Sequence, residues 1–232
     1  MVDALGLLDG LTATGIILSA TIFALLSLYK SVKLKAKLLT IAALAMLMVG
    51  FLWLGPFTDF ILVTFTGTNI TPIYFYSLLS YMWVAPALVF AMWLGGELLM
   101  PKKKWILIVT FILLGALFEY FLWFQTDQSF TWTLANPGEE LINASFERDH
   151  PTFLLIAVFL VFALVFLGIG FFIKAKQATG DLRRKFFYLG LGFTIFVVCG
   201  ALDSILTIPV AIGVVRGVMM TFALWMYLGL KT

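Results

Sequence analysis

Long apolar stretches separated by short polar segments repeat along this chain. Seven of them are long enough to matter: Gly10–Tyr29, Leu38–Phe57, Ile73–Leu99, Trp105–Phe124, Thr152–Ile173, Phe186–Ile205 and Val210–Gly229. A helix rising 1.5 Å per residue needs about 20 apolar residues to cross a hydrocarbon layer of about 30 Å. Each stretch therefore predicts one membrane-crossing helix. The fold class expected is an all-α membrane protein, a single seven-transmembrane helix bundle over residues 1–232. The third stretch is long for one crossing and is expected to tilt or bend, with Pro86 as the cause.

The polar segments carry the orientation. The first connection holds Lys30, Lys33, Lys35 and Lys37, and the third holds Lys102, Lys103 and Lys104. The fifth holds Lys174, Lys176, Arg183, Arg184 and Lys185, and Lys231 follows the last stretch. Thirteen of the fifteen basic residues thus fall on one side, and Arg148 alone lies in the opposite connections. Translocating basic residues is disfavoured, so the lysine-rich side is expected to be cytoplasmic. The N-terminus is then outside, the C-terminus inside, and the protein a multi-pass protein of the cell membrane. Asp3, Asp9, Asp59, Asp127, Glu139, Glu140, Glu147 and Asp149 all fall on the outer side. The inner cations, Lys102, Lys103, Lys104, Arg183 and Arg184 among them, suit lipid headgroups or a docking cytoplasmic partner.

Composition agrees with the bilayer as solvent. Hydrophobic residues make up 62% of the chain and charged residues 12%, about half the share of a soluble domain. The net charge of +3 is too small to point to a nucleic-acid partner. The opening "MVDALGLLDG" lacks the basic segment of a cleaved signal, so the first helix is expected to be retained. Cys199 is the single cysteine, which excludes an internal disulfide, and His150 is the single histidine, so no zinc site is expected. No cofactor and no enzymatic chemistry are expected. Two acceptor patterns for N-glycosylation, at Asn69 and Asn143, both fall on the outer side.

One connection is long: Gln125 to Pro151, "QTDQSFTWTLANPGEELINASFERDHP". Pro137 followed by Glu139 and Glu140 predicts a short helix there. With Trp132, Glu139 and Glu140 it forms an outer lid, either a passive cap or a ligand- or partner-binding surface. Small residues at four-residue steps, Ala87/Ala91/Gly95 in the third span and Gly213/Gly217/Thr221 in the seventh, predict stripes of close packing. They leave monomer and homo-oligomer equally open.

Charges inside the spans are expensive and therefore informative. Glu119, Asp203 and Arg216 all fall in the outer half, and side chains lean toward the N-terminus of their own helix. That leaning brings Asp203 and Arg216 together and predicts an Arg216–Asp203 contact, with Glu119 as a candidate third member. The trio reads as an ion pair that fixes helix register, as a pocket for a small ligand or ion, or as a snorkelling Arg on a headgroup.

From the third span onward, "YSLLSYMWVAPALVFAMWLGGELLMPKKKW", an apolar helix, an aromatic-bearing outer loop and "GDLRRKFFYLGLGF" succeed one another. This layout resembles the N-terminal seven-transmembrane sensor region of microbial histidine kinases. The resemblance implies ligand or stimulus sensing at the outer half and output on the inner side. It carries no site residue. The sequence closes at Lys231 and Thr232 without a kinase segment, so output is expected through a separate cytoplasmic signalling partner. A retinal-binding rhodopsin needs a lysine in mid-helix, where the last span has Arg216, and is rejected. A transporter of a small solute or ion, or an accessory subunit of a membrane complex, stands as the alternative.

Overall fold

The structure is a computed structural model that describes residues 2–206 and 209–231. Seven helices in it are long and apolar enough to cross a membrane: Ala4–Leu34, Lys37–Thr66, Tyr74–Leu99, Pro101–Phe124, Pro151–Gln177, Gly180–Ile205 and Val210–Leu230. The protein is an all-α multi-pass membrane protein. Consecutive spans pack side by side, and the first also packs on the seventh, which closes the ring. Chain connections alternate between a lysine-rich end and an end bearing the N-terminus and the long connection. Two residues of the short connection between the sixth and seventh spans, Thr207 and Ile208, lie outside the described residues.

The apolar runs locate every span and miss several ends. The first helix starts at Ala4, six residues earlier than its run, because Asp3 caps it: Asp3 Oδ1 accepts the Gly6 amide at 2.7 Å. The second span continues past Phe57 to Thr66 and stops at Gly67, whose φ of +67° ends the helix. Pro56 does not end it. The backbone tightens into a 3-10 turn at Phe51–Trp53 and restarts at Leu54. Pro56 then lies in the first turn of the new segment, where a missing N–H leaves no helical bond unmade.

The third span uses the same device. Tyr74–Tyr81 ends and Val84–Leu99 begins just ahead of Pro86, so the helix is interrupted where a bend is expected. The seventh span breaks without proline, between Pro209–Met219 and Phe222–Leu230. There Ser19 of the first span donates its hydroxyl to the Met220 carbonyl at 2.6 Å.

Close packing follows the small residues only in part. Ala87, Ala91 and Gly95 are all buried, and a Cβ on Gly95 would press on Leu167 of the fifth span. In that fifth span the backbone widens to a π-helical stretch over Ala163–Ile169. The seventh-span stripe holds at Gly213, which packs on Leu8, and fails at Gly217, which is exposed with open space before it.

The long connection forms a hairpin instead of the expected short helix. Strand β1 (Phe130–Thr133) pairs antiparallel with β2 (Asn143–Phe146), Phe130 opposite Phe146 and Trp132 opposite Ala144. Alternation sorts the faces: Phe130, Trp132, Ala144 and Phe146 lie on one, Thr131, Thr133, Asn143 and Ser145 on the other, exposed one. Pro137 starts a turn and no helix. Gly138 adopts φ +83° and donates its amide to Asn69 Oδ1 at 2.7 Å. The Ile142 amide goes to Asp59 Oδ2 at 2.8 Å. Acceptors from elsewhere in the fold take the amides that a helix would have used.

Candidate functional site

Arg216 stands about 9 Å along the seventh span from Val210 and is met there by two carboxylates at a similar depth. Its Nε donates to Asp203 Oδ1 at 2.7 Å and its Nη2 to Asp203 Oδ2 at 3.3 Å, a two-pronged pair that joins the sixth and seventh spans. Its Nη1 donates to Asp9 Oδ1 of the first span. The expected Arg216–Asp203 contact is therefore present. Asp9 is the member that sequence reasoning missed. It stands on the sixth residue of a helix that begins at Ala4, about 8 Å in, level with Arg216. Extending the first apolar run back through Leu8, Leu7 and Leu5 puts it at this depth.

Glu119 does not join the triad. It lies on the fourth span, which packs between the third and fifth on the far side of the ring from the first and seventh. Its Oε2 accepts from Trp123 Nε1, one turn along the same helix, at 2.9 Å. Helix direction alone brings Glu119 to the right depth, and ring order puts it on the wrong side.

The triad looks toward the hairpin end. The phenols of Tyr76 and Tyr81 on the third span lie within electrostatic reach of Arg216. Tyr81 in turn carries the hairpin: its ring stacks on Phe130 at 5.0 Å between centroids and meets Phe146 at 4.6 Å. Trp132 adds a hydrogen bond from Nε1 to Ser77 Oγ at 2.9 Å. Of the lid residues read from sequence, Trp132 thus anchors the hairpin to the bundle. Glu139 is exposed and Glu140 half-buried, its Oε1 accepting from Asn136 at 2.6 Å. The Glu139 carbonyl takes the Asp3 amide at 3.1 Å, which ties the N-terminus to the lid.

A second acid, Asp59, organises this end. It is wholly buried. Its carboxylate accepts from the Ile70 amide at 2.8 Å, the Ile142 amide at 2.8 Å and Asn69 Nδ2 at 3.0 Å. One residue near the end of the second span thereby holds both the 67–73 turn and the hairpin. Asn69 is fully used: its Nδ2 also donates to the Glu140 carbonyl at 2.9 Å. A glycan on that nitrogen would break these bonds, whereas Asn143 is exposed on β2. His150 is a capping residue. Its Nδ1 accepts the Thr152 amide at 3.4 Å at the start of the fifth span, so the proton sits on Nε2, facing Gln125 Oε1 at 3.0 Å.

At the lysine-rich end, Lys104 pairs with Glu97 at 2.6 Å, while Lys102, Lys103, Arg183 and Arg184 are exposed. Among the described residues no three His, Cys, Asp or Glu side chains come together as a metal site would require. Cys199 is buried and free, in plain packing. No family model matches the chain, and neither a curated protein nor a solved structure matches it.

Proposed function

We propose that this protein is a seven-helix receptor or sensor of the cell membrane, with its N-terminus outside and its C-terminus in the cytoplasm. In this reading it binds a small cationic ligand or ion at the hairpin end and signals through a partner at the lysine-rich end. The placement of the basic connections supports the orientation. The observation that carries the binding site is the charge imbalance at Arg216. Asp203 alone balances the charge of the guanidinium through its two-pronged pair. Asp9 spends one oxygen on Arg216, and its other oxygen has no hydrogen bond among the described residues, on a side chain 29% exposed. One negative charge in excess, on a carboxylate that is part exposed, favours a cation or a ligand rich in donors.

Two further features favour sensing over passage. Toward the lysine-rich end the bundle is filled by aromatic side chains, Phe171 against Phe186 and Phe193, and Phe196 against Phe222. The hairpin also rests on Tyr81, beside the triad, so occupancy of the site would be felt by the lid. A bound ligand shifts such a protein only through different contacts in its two states, and the Tyr81 cluster supplies a contact that can differ.

The test is intrinsic tryptophan fluorescence of the protein in nanodiscs, titrated with sodium, potassium, choline and methylguanidinium chlorides at constant ionic strength. At least one should give a saturable change that Asp9→Asn weakens tenfold or more and that Asp149→Asn, in the exposed loop, leaves intact. Equal responses in wild type and Asp9→Asn, or no saturable response to any of the four, would remove the proposal. Uptake of the responding cation into proteoliposomes would replace sensing with transport.

A further inference from the structure

The lysine-rich end holds a recess that the proposed sensing site does not involve. It lies where the fifth span ends and the sixth begins, with a volume of about 590 Å³. Phe172, Phe187 and Tyr188 form its apolar wall, and Lys176, Arg183 and Arg184 its polar rim. The wall is packed and not merely loose surface. Phe172 and Phe187 rings stand 5.5 Å apart, and Tyr188 rests on Trp225 of the seventh span at 5.7 Å. The Phe172 ring fits against Gly190, where a Cβ would crowd it at 3.0 Å. Gly180, at φ +59°, turns the chain between the two spans and keeps the rim cations of both close together.

The rim is electrostatically unbalanced. The one acid nearby in sequence, Asp181, is already paired with Lys185 at 3.1 Å. Lys176, Arg183 and Arg184 make no ion pair among the described residues. Three free cations therefore face a cleft whose wall is aromatic, at the ends of two membrane-crossing helices, which is the level of lipid headgroups.

We infer that this recess binds one anionic phospholipid of the leaflet at the lysine-rich end. Its phosphate lies on Lys176, Arg183 and Arg184, and its glycerol and upper acyl chain lie against Phe172, Phe187 and Tyr188. Two parts of the site each select a part of the ligand. Cations near a bilayer surface attract anionic lipid by about 1 kcal/mol each, and arginine grips a phosphate through paired N–H donors. The aromatic wall has no use for a free phosphate or a soluble polyanion, so the ligand is a lipid. Because the site clamps the fifth span to the sixth, its occupancy stabilises that pair.

The experiment uses the full chain, purified in mild detergent, with phosphatidylglycerol added at increasing ratio and bound lipid counted by native mass spectrometry. One phosphatidylglycerol should be retained in preference to phosphatidylcholine. Retention should fall roughly fivefold for Arg184→Gln and on the order of a hundredfold for Lys176→Gln/Arg183→Gln/Arg184→Gln. Lys102→Gln/Lys103→Gln, at the other basic turn, should leave it unchanged. Should the triple variant fail to fold, the single variant and a salt titration of the wild type give the same reading, because raised salt screens the headgroup contact. Inorganic phosphate in tenfold excess should not compete. Equal retention in wild type and Arg184→Gln together with salt-insensitive binding, or displacement by inorganic phosphate, would overturn the assignment.

Discussion

Replacing Arg216 with Met removes the guanidinium and keeps most of the apolar stem. Arg216 has a side chain only 11% exposed, facing Asp203 at 16% and Asp9 at 29%. With the cation gone, two carboxylates face each other in a largely apolar setting. Breaking a buried pair from one side costs about 3–5 kcal/mol, chiefly because the remaining charge is left without a partner. Asp9 keeps 29% of its side chain exposed, so the lower limit, about 3 kcal/mol, is expected. The same argument makes a second, less obvious prediction. Removing all three charges, as Asp9→Leu/Asp203→Leu/Arg216→Met, should return stability to within about 1 kcal/mol of the wild type, since uncharged side chains leave nothing orphaned. Equilibrium unfolding in mixed micelles with rising dodecyl sulfate, followed by the fluorescence of the seven tryptophans, measures both. If the triple variant is as unstable as Arg216→Met, the cost lies in lost bridging between helices and not in orphaned charge, and the reasoning fails.

Three other outcomes follow from the same packing. Asp59→Asn turns one of two acceptor oxygens into a donor facing an amide, and should cost about 2–3 kcal/mol. Hydrogen exchange would show it as lost protection at Ile70 and Ile142, and unchanged protection at both would count against Asp59 as the tie between turn and hairpin. Gly192→Val should destabilise by about 1–3 kcal/mol through overpacking, because a Cβ there meets Met226 Cγ at 2.8 Å and the Phe222 carbonyl at 3.1 Å. Gly217→Ala, in open space, should be neutral in the same unfolding assay, and similar losses in the two variants would mean that the helix faces are misassigned.

Much of the architecture was legible in the chain because the bilayer imposes a length. Any apolar run of about 20 residues must cross it or pay for exposed backbone, so seven runs meant seven spans. The Arg216–Asp203 pair was legible for a related reason. The two helices are adjacent in sequence, so depth and lean sufficed to bring them together. Pro86 marked the interruption of its helix because a missing N–H has a local effect.

The rest depended on which helices became neighbours. Glu119 matches the triad in depth and is absent from it because the fourth span lies across the ring. Asp9 belongs to it because the first span closes that ring against the seventh. The hairpin was hidden in a helix-like signal, Pro137 with Glu139 and Glu140, since its turn is held by Asn69 and Asp59 from another part of the chain. Local rules describe what a backbone segment does with its own hydrogen-bonding groups. They do not see an acceptor that arrives from seventy residues away. Sequence alone therefore determined how many helices can cross the membrane, how deep Glu119, Asp203 and Arg216 sit and which end is basic. The tertiary structure decided which charges meet, what covers them and which oxygen of Asp9 is left over, because each of those is set by packing around the ring.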